Sequence, residues 1–123
     1  MVYTISYDES EKIIVTRKNG EFSVDKLNRF VKKLYQSSIK YNCNKILIDQ
    51  TEAKNDLSIP DLYYRPCELK NIGFNSHYSF ALLIHKSSLE KEKYLFFEDT
   101  SINQGLNVRI FQNEKKAIKW LKT

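Results

Sequence analysis

Residues 78–85, Tyr78-Ser79-Phe80-Ala81-Leu82-Leu83-Ile84-His85, are apolar at consecutive positions and therefore on both faces of an extended chain. A strand with one wet face alternates apolar and polar side chains; a strand covered on both sides does not. The run reads as the central strand of an α/β sheet, and the segments on either side read as its neighbours and covers.

Toward the C-terminus, Ser87 and Glu90 have the spacing of a capping box. They open a helix that runs through Tyr94-Leu95-Phe96-Phe97 to Gln104, where Gly105 supplies a left-handed stop. Residues 107–111 (NVRIF) form a last short strand, and Asn113 caps a final helix that turns Ala117, Trp120 and Leu121 inward. Toward the N-terminus, residues 45–49 (KILID) form a short strand ending on a carboxylate, followed by a polar stretch to Asn55. Ser58 caps the next helix, which reaches about Ile72. Pro60 in its first turn costs no hydrogen bond, whereas Pro66 predicts a kink or an early break.

Further upstream, Ser23 caps a helix over residues 24–41. Asp25 stands near its positive end, and Val24, Leu27, Val31, Leu34, Tyr35 and Ser38 follow at helical spacing. Residues 2–7 alternate as a strand, and residues 12–18 (KIIVTRK) are rich in β-branched side chains. Asp8-Glu9-Ser10-Glu11 joins the two as a hairpin, and Asn19-Gly20 turns the chain onward. The order ββαβαβαβα implies an α/β fold with four parallel strands, right-handed crossovers and one antiparallel edge.

A length of 123 residues with 41% hydrophobic and 13% aromatic content suits a single domain, residues 1–123, around one core. Three glycines and two prolines leave little material for a flexible linker. The N-terminus lacks a basic region followed by an apolar run, and no segment approaches the ~20 apolar residues of a membrane span. A cytoplasmic location is the expectation. Cys43 and Cys67 stand alone, which supports neither a zinc site nor a redox dithiol. The net charge of +5 raises the question of nucleic acid. The lysines, however, are spread along the chain and mixed with acids in all groups but the first, as on solvated helix faces.

Phe96-Phe97-Glu98-Asp99, then residues 103–111 (NQGLNVRIF), then Glu114, Ala117, Trp120 and Leu121 resemble the closing signature of small bacterial STAS-like proteins. These are related in fold to anti-sigma-factor antagonists. The element order carries the resemblance over the whole chain, the closer likeness over about its last third. The resemblance implies a β–α superhelix: a mostly parallel five-stranded sheet with helices mainly on one face. The apolar residues on the other face then need a cover, which a subunit, an apolar ligand or one helix crossing over would supply. In antagonists of this fold, a serine in an Asp-Ser-x-Gly-type motif near the start of the second helix is the phosphorylation switch. This chain lacks the motif. Ser58, in Leu57-Ser58-Ile59-Pro60-Asp61, is the nearest equivalent, with a plain N-cap as its other reading, and Thr51 is a weaker candidate.

Catalytic constellations are missing from the sequence. Glu98 and Asp99 are helix neighbours about 100° apart and do not converge. His77 and His85 are separated by roughly 26 Å of strand and cannot share a metal. No phosphate loop, nucleophile elbow or ligand cluster is present, so neither cofactor nor metal is expected. His85 lies at the carboxyl end of its strand, where α/β proteins place ligand groups, with Asp49, Lys86 and Ser87 as candidate neighbours. Tyr63, Tyr64, Tyr94 and Phe97 offer more apolar surface than one buried stripe requires, leaving core packing, a dimer interface and a ligand groove open. The leading reading is a non-enzymatic interaction module that docks to a protein partner or to a second copy around residues 58–64 and 94–97. A small-molecule or lipid-binding domain with an apolar pocket beside His85 comes second, a nucleic-acid binder third and an enzyme last.

Overall fold

The computed structural model describes residues 2–55, 57–88 and 90–123. The N-terminal alternation forms β1 (Val2–Asp8), which pairs antiparallel with β2 (Ile13–Phe22). Asp8 accepts hydrogen bonds from the backbone of Ser10 and Glu11 in the connecting turn. β2 does not stop at Asn19-Gly20. Asn19 pairs with Val2 on one side and Glu52 on the other, and Gly20 continues the ladder opposite Ala53 with φ of 90°. Pairing on both sides outweighs the local turn preference of this dipeptide. The same ladder turns the polar stretch after Asp49 into strand, so that β3 spans Lys45–Asn55.

β4 (Ser79–Leu83) and β5 (Asn107–Phe111) complete a sheet in the order β1-β2-β3-β4-β5, parallel from β2 onward. Helices α1 (Val24–Lys40), α2 (Ile59–Ile72) and α3 (Lys91–Asn103) are the three crossovers. Successive parallel strands step in one direction, so right-handed crossovers place all three helices on the same face. There they bury Phe30, Leu34, Leu62 and Leu69 against Ile46, Ile48, Phe80 and Val108.

α4 (Glu114–Leu121) folds back over the opposite face and seats Ala117 and Leu121, both fully buried, on Ile13, Leu47, Ala81 and Leu83. The cover that the second face requires is thus the chain's own last helix. Its C-terminal carbonyls are held from β3, where Lys45 Nζ donates to the Leu121 carbonyl and to that of Thr123.

The caps at Ser23, Ser58 and Asn113 form as the sequence predicts. The Ser87–Glu90 capping box does not. Glu90 is itself the N-cap of α3, without a side-chain cap bond, and the Ser87 hydroxyl turns back to His85. Pro66 sits fully buried inside α2, and the helix continues past it to Ile72.

Candidate functional site

The strand register slips where β2 passes the end of the apolar part of β3. Arg17 pairs with Asp49 but Asn19 with Glu52, so Gln50 and Thr51 together oppose Lys18. Such a bulge re-aims side chains. Asp49 stabilises it by accepting from the Thr51 backbone N–H at 3.0 Å and from the Thr51 hydroxyl at 2.7 Å. On the α4 side of the sheet, Arg17 pairs with Asp49 and with Glu114, the latter at 3.1 Å. On the helix side, Lys18 Nζ donates to Gln50 Oε1 at 3.1 Å.

Lys18 and Gln50 therefore lie beneath α1 and α2 rather than in solvent. Lys18 is 3% exposed, and its ammonium stands 4.5 Å from the Phe22 ring centroid and 5.2 Å from that of Phe30. Burial, and secondarily the nearby Arg65 cation, push its pKa down to about 7. Arg65, only 6% exposed, projects inward from α2. One guanidinium nitrogen donates to Asn28 Oδ1 at 2.7 Å and pairs with Glu68 at 3.1 Å; its buried Nε has no hydrogen-bond partner among the described residues.

Lys18, Gln50 and Arg65 open onto a cavity of about 90 Å³ whose remaining walls are almost wholly apolar, including Leu34, Leu69, Phe80 and Val108. A second, wider cleft of about 400 Å³ opens at the carboxyl ends of β3 and β4 and holds Thr51, His85, Ser87 and Ser88. Gln50 and Tyr94 line both and form the partition between them. In the cleft, the Ser87 N–H donates to His85 Nδ1 at 3.1 Å, which leaves the ring proton on Nε2.

The structure brings Thr51, His85 and Tyr94 to one cleft, with Asp49 directly behind Thr51. The apolar space lies one layer deeper than the position beside His85, because Tyr94 is buried and Phe97 faces the inner cavity. Ser58, Tyr63 and Tyr64 are elsewhere. Ser58 is an exposed N-cap whose hydroxyl accepts from the Asp61 N–H, while the Asp61 carboxylate accepts from the Ser58 N–H. Hydrogen bonding to the Asp61 carboxylate, from the Ser58 backbone first and from the Ser58 side chain second, lowers the Asp61 pKa. Tyr63 and Tyr64 stand 54% and 61% exposed on α2, their rings edge to face at 5.3 Å. Among the described residues no group of three or more His, Cys, Asp or Glu could hold a metal ion, and no helix is long and apolar enough to cross a membrane.

No protein-family model and no curated protein matches the chain in sequence. Solved structures do match it. An anti-sigma factor antagonist from Mycobacterium paratuberculosis aligns over 99% of this chain and 96% of its own, with a TM-score of 0.66 and 10% identity. The anti-sigma factor antagonist SpoIIAA in its unphosphorylated form aligns over 98% of both chains, with a TM-score of 0.55 and 17% identity. This chain has the fold of the anti-sigma-factor antagonists. An uncharacterised Shewanella loihica protein with a SpoIIAA-like fold aligns over 98% of this chain and 92% of its own, at a TM-score of 0.59 and 15% identity. Such coverage makes α4 part of the antagonist fold rather than an addition to it. SpoIIAA itself also has a phosphorylated form. In this antagonist fold, Ser58 takes the start of the second helix.

Lys18 and Arg65 are the site residues that the sequence reading missed. Each sits in an apolar pattern. Lys18 continues the buried alternation Ile14, Thr16, Lys18 toward Phe22, and Arg65 lies three residues after Leu62 and four before Leu69, within the buried stripe of α2. Reading β2 through Asn19-Gly20 would have exposed the first.

Proposed function

We propose that this chain is a non-catalytic regulatory module that docks a protein partner through α2 and α3. The observation that carries the reading is the second apolar stripe on these two packed helices. Ile59, Tyr63 and Tyr64 on α2, with Leu95 and Ile102 on α3, remain exposed although each helix already buries another face in the core. Single exposed apolar residues are ordinary; several on adjoining elements mark a contact surface, and tyrosine is enriched in such surfaces. Tyr94 and Phe97 support that surface from beneath. The fold shared with proteins named for antagonising another protein supports the same reading.

Ser58 stands at the edge of this surface, directly before Ile59. A phosphate there would gain from the helix dipole but would set two charges beside Asp61 and the apolar stripe. In this reading modification of Ser58 switches docking off. The module acts as a single domain and uses no cofactor.

The test is affinity capture from the native host with wild type, Tyr63→Ala/Tyr64→Ala, Ser58→Glu, Ser58→Ala and a Lys33→Ala control. The reading expects one partner that wild type, Ser58→Ala and Lys33→Ala retain and the other two variants lose. Equal capture by all five sinks it. A dimer in light scattering that Tyr63→Ala/Tyr64→Ala dissolves would reassign the face to a second copy.

A further inference from the structure

The two edges of the sheet are built differently. An open strand edge is a template for a further strand, and shortness, charge and side-chain cover are the usual protections. β5 has all three: it is five residues long, carries Arg109 at its centre, and its Ile110 N–H already donates to the Glu98 carboxylate of α3 at 2.7 Å. β1, at the other end of the sheet, runs seven residues in register with β2 from Val2 to Asp8 without a bulge. None of the chain's 20 lysines and arginines and neither of its prolines falls within it. Its one charge, Asp8, stands at the end and accepts from the turn at Ser10 and Glu11. The Thr4 carbonyl turns toward β2 and accepts from the Thr16 hydroxyl at 2.6 Å. Backbone groups alternate in direction along an antiparallel strand, so the N–H and C=O of Tyr3, Ile5 and Tyr7 face away from the sheet.

The side chains of this edge select its occupant. Tyr3-Thr4-Ile5-Ser6-Tyr7 reads alike in both directions: an aromatic ring, a small hydroxyl, isoleucine, a small hydroxyl, an aromatic ring. We propose that two copies of the chain pair antiparallel along β1, about a two-fold axis at Ile5. In that register Ile5 faces its own counterpart, Tyr3 faces the partner's Tyr7, and Thr4 faces the partner's Ser6. The three outward-facing pairs exchange two backbone bonds each, about six in all. Aromatic pairs and Thr–Ser pairs are among the cross-strand combinations that stabilise an antiparallel ladder. The rings are already placed for it: Tyr3 stands edge-on to Phe30 at 5.0 Å and Tyr7 stacks on Tyr41 at 5.2 Å, both half-buried with a flank left open. A strand of unrelated sequence gains the backbone bonds alone, whereas the symmetric order rewards a second copy. A two-fold pairing uses up the open edge and leaves the guarded β5 outermost on both sides, so assembly stops at two. The exposed stripe of α2 and α3 takes no part in it and stays free for a partner.

Sedimentation velocity of the full chain from about 10 µM to about 1 mM should show a reversible monomer–dimer equilibrium. Thr4 and Ser6 are exposed, so charges placed there leave the core of the monomer intact. Thr4→Lys/Ser6→Lys sets like charges opposite one another across the two-fold axis and should weaken the dimer by about tenfold or more, and Thr4→Glu/Ser6→Glu should do the same. An equimolar mixture of the two variants pairs opposite charges and should recover dimer. Tyr63→Ala/Tyr64→Ala should dimerise like wild type. Hydrogen exchange at the Tyr3, Ile5 and Tyr7 amides should slow as protein concentration rises. A monomer at every concentration overturns the proposal, as does wild-type dimerisation in both charged variants. Dimer lost in Tyr63→Ala/Tyr64→Ala also overturns it, because the contact would then lie on α2. If a charged variant does not fold, the three amides of wild type still decide: exchange that ignores concentration overturns the pairing. Partner capture through α2 and α3 is read separately, so either result leaves the other standing.

Discussion

Lys18 Nζ donates to Gln50 Oε1 at 3.1 Å across the bulge in β3, inside the helix-covered face of the sheet. The ammonium faces the Gln50 amide, the Phe22 and Phe30 rings and the Arg65 cation, and its pKa falls from 10.5 to about 7. Between those values the unfolded chain binds one more proton than the folded one. Stability from this group therefore rises with pH over that window, at about 1.4 kcal/mol per unit. Below pH 7 both states carry the charge and the cost of burying it is present in full. Urea unfolding of wild type and Lys18→Met at pH 7, 8 and 9 should show wild type gaining on the variant by ~1 kcal/mol per unit. Parallel pH profiles would show that Lys18 does not titrate as its burial demands.

The bulge also explains how far the sequence could be read. β4 was legible because Phe80, Ala81, Leu82 and Leu83 are apolar in succession, and α1 because Leu27, Val31 and Leu34 repeat at helical spacing beside a clear cap. Asn19-Gly20 misled because a turn dipeptide is a local signal, whereas its backbone pairs with β1 and β3 at once. Arg65 and Lys18 were hidden for a related reason: a charge in an apolar pattern looks like a surface residue until the pattern is followed on either side of it. The side of the sheet taken by α4 was not readable either. Ala117 and Leu121 announce a buried stripe but carry no information on which face receives it.

Gly73 and Gly105 both close helices with positive φ, 138° and 84°, yet they should respond differently to alanine. A Cβ at Gly105 meets nothing within 4 Å, so Gly105→Ala should cost only the strain of the backbone conformation, about 1 kcal/mol. A Cβ at Gly73 would meet the Tyr35 ring, whose position is fixed edge-on against Phe74 at a centroid distance of 5.2 Å. Gly73→Ala should cost at least ~2 kcal/mol, the sum of strain and displaced packing. Denaturant titration of the two variants decides, and equal losses would mean that Tyr35 moves aside freely.

α4 is held by its apolar seat far more than by its charges. Leu121 is fully buried against β3 and β4, whereas the Lys122–Glu11 pair at 2.8 Å joins side chains that are 50% and 36% exposed. Leu121→Ala should lose about 2–5 kcal/mol through the cavity it leaves, and Lys122→Ala less than ~1 kcal/mol. Unfolding free energies in urea provide the comparison. A larger loss from Lys122→Ala would overturn the account of α4 as an apolar cover.

Asp49 is the residue on which the bulge depends, through Thr51 rather than through Arg17. The Arg17 side chain is 54% exposed, so its pair with Asp49 is screened by water, and Arg17→Ala should cost less than ~1 kcal/mol. The bonds from the Thr51 N–H and hydroxyl converge on a carboxylate only 14% exposed. Hydrogen bonds to a charged acceptor in such a setting contribute about 1.5–3 kcal/mol, and Asp49→Ala removes both at once. Asp49→Asn keeps an oxygen facing Thr51 and should fall between the two. Hydrogen exchange at the Thr51 amide separates the contributions: protection should survive in Arg17→Ala, weaken in Asp49→Asn and vanish in Asp49→Ala. If Arg17→Ala alone abolished that protection, the ion pair rather than the turn at Thr51 would be what holds Gln50 against Lys18.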